Sequence, residues 1–290
     1  MNSFTVKEPG PLLPYLFRTL KDYKRTKIKK LLQSKSIAVN GKVTTQFNEP
    51  LAIGDKIEIH SQRESHELFT SEIKVVYEDE QIIVVDKPSG LLTVSTDKVR
   101  KNTAFYKVFE YVKQTSKHKQ GRIFIVHRLD QDTSGLIVLA KNFTAKESMQ
   151  RNWKKTEKKY YAVVYGTPKE RSGQIESYLK ENKFLNVYST QEKEKEDAKF
   201  AVTHYRVIRS SAQYSLLDVE IKTGRKHQIR VHLADLGHPV VGDERYARDK
   251  SKIDLALHAY YLAFPHPKTK HRVEFETELP KRLSQLLENK

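Results

Sequence analysis

Short apolar runs separated by polar turns cover most of the chain and predict a strand-rich structure. Residues 82–85, 123–126 and 136–140 are rich in β-branched side chains and too short for helices, which indicates buried strands. Residues 201–208 and 214–221 alternate polar with apolar side chains, as half-buried strands do. This pattern, with few long helices, favours a mixed α+β domain.

Apolar residues at three- and four-residue spacing predict helices in other segments. These helices are expected over residues 12–20, 24–32, 103–115 and 143–154, from about residue 226 onward, and over 278–290. In the second helix, Ile28, Leu31 and Leu32 share one face and lysines occupy the other. The aromatic stripe of residues 103–115 is interpreted as the core-facing side of an amphipathic helix rather than as a base-stacking surface.

The N-terminal part of the chain is predicted to form a compact unit of its own. The dipeptide Asn40-Gly41, flanked by β-branched residues, is typical of a tight hairpin. Residues 61–72 are polar, have no clear period and are interpreted as a linker. The predicted domains are therefore residues 1–65, with a core at 12–60, and residues 66–290.

The charge of the chain indicates a polyanionic partner. Lys and Arg number 53 and Asp and Glu 36 among 290 residues, a formal net charge of +17. Because 38% of the residues are hydrophobic, this excess indicates nucleic-acid binding rather than disorder, with an anionic membrane surface as the alternative. No apolar run approaches membrane-spanning length and no N-terminal signal peptide is visible, so we expect a cytoplasmic protein that does not enter the membrane.

The chain contains no cysteine, which excludes disulfides, thiolate nucleophiles and cysteine-based zinc sites. This composition fits a reducing cytosol. The histidines are scattered, without a His-x-x-x-His pair beside a helical carboxylate, and no glycine-rich nucleotide-binding loop is visible. We therefore expect neither a metal nor another cofactor.

A dense polar cluster, residues 127–135, separates two of the predicted strands. It offers a base, a fixed cation, two carboxylates and two hydroxyls, from His127, Arg128, Asp130, Asp132, Thr133 and Ser134. A rigid scaffold that positions a polar loop is a common setting for catalysis. Asp, Ser and Gly are also common turn residues, so the loop by itself favours a surface turn whose charges pair with each other.

Several motifs together resemble the RluA-type pseudouridine synthases. His-Arg-Leu-Asp-x-x-Thr-Ser-Gly-Leu at 127–136 resembles the signature of that family. Further similarity lies in Lys-Pro-x-Gly at 87–90, Lys-x-Tyr-x-Ala-x-Val-x-Gly at 158–166, Thr-Gly-Arg-x-His-Gln-Ile-Arg-x-His-Leu at 223–233 and Gly-x-Pro-x-x-Gly-Asp at 237–243. Residues 92–95, Leu-Thr-Val-Ser, depart from the Val-Val-His that many members carry.

The resemblance implies a mixed α+β catalytic domain with a central, largely antiparallel sheet. It implies that Asp130 is the catalytic aspartate, that Tyr160 is the active-site tyrosine and that Arg230 pairs with Asp130. It further implies that Arg128 fills the gap left by a flipped base. We count His127, Thr133 and Arg225 with Arg128 as substrate-binding candidates.

The N-terminal unit resembles the S4 RNA-binding domain, because a basic helix is followed by Val-Asn-Gly and then by Gly-Asp-x-Ile. The resemblance implies a small α/β domain. Residues 24–30 contain five cations and no carboxylate, so the helix offers a cationic ridge that can follow phosphates. The RNA-binding candidates are Arg25, Lys27, Lys29 and Lys30. The alternative is an ordinary solvated helix face.

The chemistry implied is the isomerisation of specific uridines to pseudouridine in structured RNA, with ribosomal RNA favoured over transfer RNA. A carboxylate can attack the sugar C1′ or remove a sugar proton, and the sequence does not choose between these roles. A carboxylate in a closed pocket loses the solvation of its ionised form, and an arginine partner would offset that loss. Two other functions remain open: a non-catalytic RNA-binding or ribosome-assembly factor, and a DNA base-excision glycosylase. We expect a monomer.

Overall fold

The computed structural model describes residues 2–20, 23, 25–33, 37–59, 73–97, 99–116, 121–190, 197–247 and 253–288. They divide into two compact units. Unit 1 comprises Met1–Glu72 and Glu110–Gly121, and unit 2 comprises Ile73–Phe109 and Arg122–Lys290. The linker expected at residues 61–72 lies outside the described residues.

Between residues 2 and 59, the described part of unit 1 contains two helices and six short strands. In chain order they are β1 Asn2–Thr5, β2 Gly10–Pro11, α1 Leu12–Thr19, α2 Arg25–Gln33, β3 Ile37–Val39, β4 Lys42–Val43, β5 Pro50–Leu51 and β6 Lys56–Ile59. Strands β1, β6, β3 and β4 form a four-stranded sheet in that order, and β2 pairs with β5. Both predicted helices are confirmed.

The small core of unit 1 explains the amphipathic pattern of α2. Ile28 and Leu32, one helical turn apart, are buried against Leu12, Leu16 and residues of the sheet. The opposite face of α2 is exposed to solvent.

The predicted hairpin of unit 1 is also confirmed. Asn40 and Gly41 both have positive φ, 50° and 77°, which is the backbone of a tight type I′ turn. Asp55 stabilises the turn, because its carboxylate accepts a hydrogen bond from the side-chain amide of Asn40 at 2.8 Å.

Unit 2 is built on a large sheet. Its elements are β7 Lys74–Glu78, β8 Ile82–Lys87, α3 Ala104–Thr115 (which extends into the segment grouped with unit 1), β9 Phe124–Ile125, β10 Ser134–Ala140, α4 Phe143–Arg151, β11 Glu157–Tyr165, β12 Ser172–Glu181, β13 Val187–Thr190, β14 Lys199–Ser210, β15 Tyr214–Ile221, α5 Gln228–Asp235, β16 Leu257–Pro265, β17 Arg272–Glu276 and α6 Lys281–Glu288. A short 3-10 turn, Trp153–Lys155, precedes β11.

The sheet has the order β13-β12-β14-β15-β11-β16-β10-β8-β7, with β17 beside β16 and β9 beside β10. Among the strands that the structure describes, β10 and β16 form the one parallel pair in this sheet and the other pairings are antiparallel. The predicted α+β fold with a largely antiparallel central sheet is therefore confirmed.

The parallel pair explains a glycine at the end of the polar loop. Gly135 lies opposite Ala259 in the pairing of β10 with β16. Its φ is +115°, and a Cβ at this position would lie 2.2 Å from the carbonyl oxygen of Ala259. Only glycine permits the two backbones to approach so closely where the loop enters the sheet.

The helix expected from about residue 226 begins later than predicted, at Gln228. The sequence predicts that His227 and Arg230 are neighbours on one helical face, but His227 has φ 53° and ψ 17°, the left-handed conformation, and precedes the helix. The Gln228 side chain accepts the Arg225 backbone N–H at 3.0 Å and the Thr223 hydroxyl at 2.7 Å. These two bonds hold the turn at residues 223–225 against the first residue of the helix. The chain changes direction between the turn and the helix, and the left-handed conformation of His227 provides that change.

The sequence Asp-Lys-Pro-Ser-Gly-Leu at residues 86–91 predicts a tight turn, but β8 continues through Lys87 and the turn begins only after it. The Lys87 side chain is fully buried. Its Nζ donates to the carbonyl oxygens of Pro88 at 2.9 Å, Leu91 at 2.7 Å and Gln131 at 2.8 Å. Burial lowers the pKa of Lys87 to about 8, and three acceptors match the three donors of its ammonium group. Lys87 thus ties the turn after β8 to the polar loop.

Replacing Lys87 by methionine, which has a similar shape, is expected to destabilise the protein by about 3 kcal/mol, because three carbonyl groups, that of Leu91 in a buried bond, lose their donor. Urea unfolding, followed by the fluorescence of the single tryptophan, Trp153, measures this. The matched control is Lys101→Met at an exposed position, with an expected change below about 0.5 kcal/mol. Equal stability of the two variants would contradict the tethering role of Lys87.

Candidate active site

The polar loop opens onto a cavity of about 530 Å³ in unit 2. Three stretches that are distant in sequence meet there: the loop before β10, the strand β11 and the turn that leads into α5. All seven residues predicted for the catalytic and substrate-binding sites line this cavity, namely His127, Arg128, Asp130, Thr133, Tyr160, Arg225 and Arg230. The fold therefore brings together every candidate that the sequence placed in the catalytic domain.

Asp130 is a partly exposed carboxylate of the cavity, with 26% of its side chain accessible. Its Oδ2 lies 3.9 Å from Nη1 of Arg230 and 4.0 Å from Nε2 of His227. Both distances are too long for hydrogen bonds. The carboxylate is therefore oriented by two nitrogen groups and still open to a reacting atom.

The backbone beside Asp130 is held by the segment that departs from the family pattern. The buried hydroxyl of Thr93 donates to the carbonyl oxygen of Leu129 at 2.7 Å and accepts the Leu129 N–H at 3.2 Å. Leu129 directly precedes Asp130, so this pair of bonds fixes the position from which the carboxylate projects. Residues 92–95 thus contribute support for the loop, which sequence reasoning did not find.

Arg230 has a stronger partner than the one expected from the resemblance. Its Nε and Nη2 donate to the two carboxylate oxygens of Asp243, both at 2.7 Å, in a buried bidentate pair. The remaining nitrogen, Nη1, faces Asp130. The expected Asp130–Arg230 pair therefore exists as a secondary contact, and Asp243 is a site residue that the sequence analysis missed.

Tyr160 lies on β11, where the pairing with β16 shifts register between Lys159 and Tyr160. Such an irregularity re-aims a side chain relative to the regular pleat. The phenol is buried, and burial together with the charge of Asp130 raises its pKa well above the ordinary value. Tyr160 therefore remains protonated at neutral pH and offers a hydroxyl donor and a flat ring rather than a base.

His127 is not the base that the loop composition suggested. Its Nε2 accepts the backbone N–H of Val138 at 3.1 Å, and its ring lies 4.7 Å from that of Trp153. Burial, and secondarily the charge of Lys158, lowers the pKa of His127 to about 3. The imidazole is consequently neutral, and one nitrogen is occupied, so His127 forms part of the cavity wall.

The cavity carries an excess of positive charge. Arg128 and Arg225 are exposed at its edge, and Nε of Arg225 donates to the carbonyl oxygen of Phe200 at 3.0 Å. The cations that line it are Arg128, Lys158, Arg225, Lys226 and Arg230, and the carboxylates are Asp130 and Glu181. Glu181 is engaged by Lys226. A polyanion such as an RNA backbone is complementary to this charge.

The remaining predicted residues lie on α2 of unit 1. Arg25, Lys27 and Lys29 are solvent-exposed, and the side chain of Lys30 lies outside the described residues. Arg25 and Lys27 contact the rings of Phe17 and Tyr23 at 5.3 and 4.2 Å.

The described residues contain no group of three metal-binding side chains of the His, Asp and Glu types. None of their helices is both long enough and apolar enough to cross a membrane.

Comparisons with known proteins agree with the geometry of the cavity. A family model for RNA pseudouridylate synthases matches residues 81–235. The RNA pseudouridine synthase YlyB of Bacillus subtilis, itself uncharacterized, is 33% identical over 284 residues, covering 95% of this chain and 92% of the relative. Ribosomal large subunit pseudouridine synthase D of Borreliella burgdorferi is 33% identical over 302 residues, covering 99% of this chain and 91% of the relative.

A solved structure shares the fold. Human RNA pseudouridylate synthase domain containing 4 aligns with a TM-score of 0.64 at 23% identity, over 77% of this chain and 94% of that chain. The family model spans more than half of the chain, and the curated relatives align along nearly all of it. The chain therefore belongs to the RNA pseudouridine synthase family and is an isomerase that acts on RNA.

Proposed function

We propose that this enzyme converts specific uridines of structured RNA, ribosomal RNA foremost, to pseudouridine, with Asp130 as the catalytic carboxylate. The observation that carries the proposal is the difference between the two cavity carboxylates in their distance to the nearest cation. Glu181 is engaged by Lys226, whereas the nearest cation to Asp130 stands 3.9 Å away. Asp130 is thus the carboxylate without a close cation, and it is free to react with a ribose.

The reaction breaks the N1–C1′ bond, turns the uracil and joins C5 to C1′. The C5 proton leaves and N1 gains a proton, so the product is an isomer and no external reagent is consumed. An ionised Asp130 serves either of two routes, attack on C1′ or removal of a sugar proton. Tyr160, held protonated, supplies a ring against the base and a hydroxyl donor.

The charge balance suits an ionised Asp130. A carboxylate in a closed cavity needs a nearby positive charge, since desolvation favours its neutral form. The charge of Arg230 is largely compensated by Asp243, to which it donates twice. A partly compensated cation stabilises the carboxylate of Asp130 without tying up its lone pairs, so the group stays reactive.

The target uridine must leave its stack, because its base cannot turn over inside a helix. Arg128 is exposed at the cavity edge, two residues before Asp130. Its planar guanidinium can stack on bases and bind phosphates. Arg128 therefore fills the vacated space while Tyr160 receives the extruded base.

The names of relatives and the basic helix of unit 1 support the proposed substrate class. The relative from Borreliella burgdorferi is named for the large ribosomal subunit. Residues 1–65 act as an S4-like RNA-binding domain through Arg25, Lys27, Lys29 and Lys30, and residues 66–290 act as the catalytic domain. On this proposal the protein works as a monomer in the cytoplasm, and transfer RNA is the alternative substrate.

The proposal is tested by Asp130→Asn, with Asp132→Asn as the matched control from the same loop. Purified enzyme is incubated with ribosomal or transfer RNA carrying tritium at uridine C5, and tritium release is measured. We expect Asp130→Asn to lower the single-turnover rate by more than about 10³-fold, since it removes the reacting group. Asp132→Asn, at an exposed position, is expected to change the rate by about twofold or less.

The same assay separates the competing functions. A DNA glycosylase releases free base from duplex DNA and leaves the tritiated RNA unchanged. A non-catalytic RNA-binding factor gives no tritium release with the wild type. Full activity of Asp130→Asn would contradict the role of the carboxylate while leaving the family assignment intact.

The role of α2 is tested by the double variant Lys27→Gln/Lys29→Gln. If both lysines contact phosphates, the slope of log affinity for RNA against log salt concentration falls by about 2. The rate at saturating RNA is expected to stay within about twofold, because these lysines are not in the cavity. The control is Lys268→Gln/Lys281→Gln, an exposed pair in unit 2. An unchanged slope in the α2 variant would contradict RNA binding by this helix.

A further inference from the structure

His227 lines the cavity and has no role in the function proposed above. It occupies the left-handed region with φ 53°, which is costly for a residue other than glycine or asparagine. Its side chain is only 9% exposed, and its Nε2 lies 4.0 Å from Oδ2 of Asp130. A strained backbone of this kind persists where the surrounding structure holds it, often at functional sites. The contact of His227 with Asp130 is therefore a candidate reason for the strain.

The other ring nitrogen of His227 is hydrogen-bonded to Tyr246. Its Nδ1 lies 2.8 Å from the hydroxyl of Tyr246, and that hydroxyl oxygen accepts the backbone N–H of Val187 at 3.2 Å. The hydroxyl hydrogen is then available to be donated to Nδ1. The opposite tautomer would aim the Nε2 lone pair at the carboxylate of Asp130, which is repulsive. The network therefore favours a proton on Nε2.

His227 and Arg230 are supported in the same way. They are three residues apart, and both direct a nitrogen at Oδ2 of Asp130. Their supports, Tyr246 and Asp243, are also three residues apart. The Asp243 carboxylate binds Arg230 and accepts the Tyr246 N–H at 3.1 Å, while the Arg230 guanidinium lies 5.2 Å from the centre of the Tyr246 ring. One turn thus positions both nitrogen groups.

We propose that His227 is a positioning residue for Asp130: as a neutral imidazole fixed in its Nε2–H tautomer by Tyr246, it orients the carboxylate when RNA closes the cavity. The proposal rests on the catalytic role given to Asp130 above. Hydrogen bonds of a catalytic group are often long in the free enzyme and shorten in the substrate complex. With Oδ2 held by His227 and Arg230, Oδ1 remains for the ribose.

A neutral donor suits this role better than a second cation. Burial lowers the pKa of His227 to about 4; Asp130 opposes the shift, and Arg230, Lys226 and Arg245 reinforce it. At neutral pH the imidazole is therefore uncharged. It can orient the carboxylate through an N–H group without the added charge that would weaken Asp130 as a nucleophile or base.

The tautomer is tested directly in the full-length protein by ¹⁵N NMR with labelled histidine. The His227 signals are those absent from His227→Asn, a substitution that the left-handed backbone tolerates. We expect a protonated Nε2 and a bare Nδ1 in the wild type, and a shift toward mixed tautomers in Tyr246→Phe. A proton on Nδ1 in the wild type would overturn the proposal, whatever the activity of any variant.

Kinetics test the consequence for Asp130. Tyr246→Phe removes one oxygen and keeps the ring beside Arg230. We expect its single-turnover rate to fall about tenfold and that of His227→Asn by 10- to 100-fold, since misplacing a reacting group is costly. Their affinity for RNA is expected to stay within about twofold. The control is His271→Asn, at an exposed position, with an unchanged rate.

Two kinetic outcomes would overturn the proposal. One is a rate within twofold of wild type for both variants. The other is a loss of RNA affinity at an unchanged rate, which would make His227 a binding group. Failure of the catalytic role of Asp130 is distinguishable, because it is read from Asp130→Asn alone.

Discussion

The buried ion pair between Arg230 and Asp243 is the constraint on which the site depends. An isolated cation in this position would be unstable, and breaking such a pair by removing one partner costs about 3–5 kcal/mol. Bidentate bonding at 2.7 Å fixes the guanidinium plane, so the one remaining nitrogen faces Asp130 at 3.9 Å. The carboxylate thereby gains a positive neighbour whose charge is mostly compensated.

The loop that carries Asp130 is held by hydrogen bonds to its backbone. Lys87 donates to the carbonyl group of Gln131, and the Thr93 hydroxyl bonds both the carbonyl group and the N–H of Leu129. Gly135 lets the end of the loop pair closely with Ala259 on β16. Three parts of unit 2 therefore converge on nine consecutive residues, and the catalytic candidate projects from a backbone with little freedom to move.

The hydrophobic period of the sequence predicted most elements. The seven cavity-lining candidates came from motifs that resemble a known family, and the resemblance also implied the fold class. The sequence did not predict what the polar residues bind. His127 reads as a base until Val138 is seen to occupy its nitrogen, and Lys87 reads as part of a turn until its buried acceptors are known. Such partners depend on long-range packing. Asp243 and Tyr246, which bind Arg230 and His227, were signalled in the sequence only by the equal three-residue spacing of the two pairs. That spacing has meaning only once the structure shows the two segments in contact.

The most direct measurement is pseudouridine mapping of total cellular RNA from a strain that lacks this gene and carries either the wild-type gene or Asp130→Asn. We predict that at least one uridine, in ribosomal RNA, loses its modification in the deletion strain and regains it only with the wild type. Restoration of that modification by Asp130→Asn would contradict the catalytic role of the carboxylate. Persistence of every pseudouridine in the deletion strain would contradict the proposed substrate.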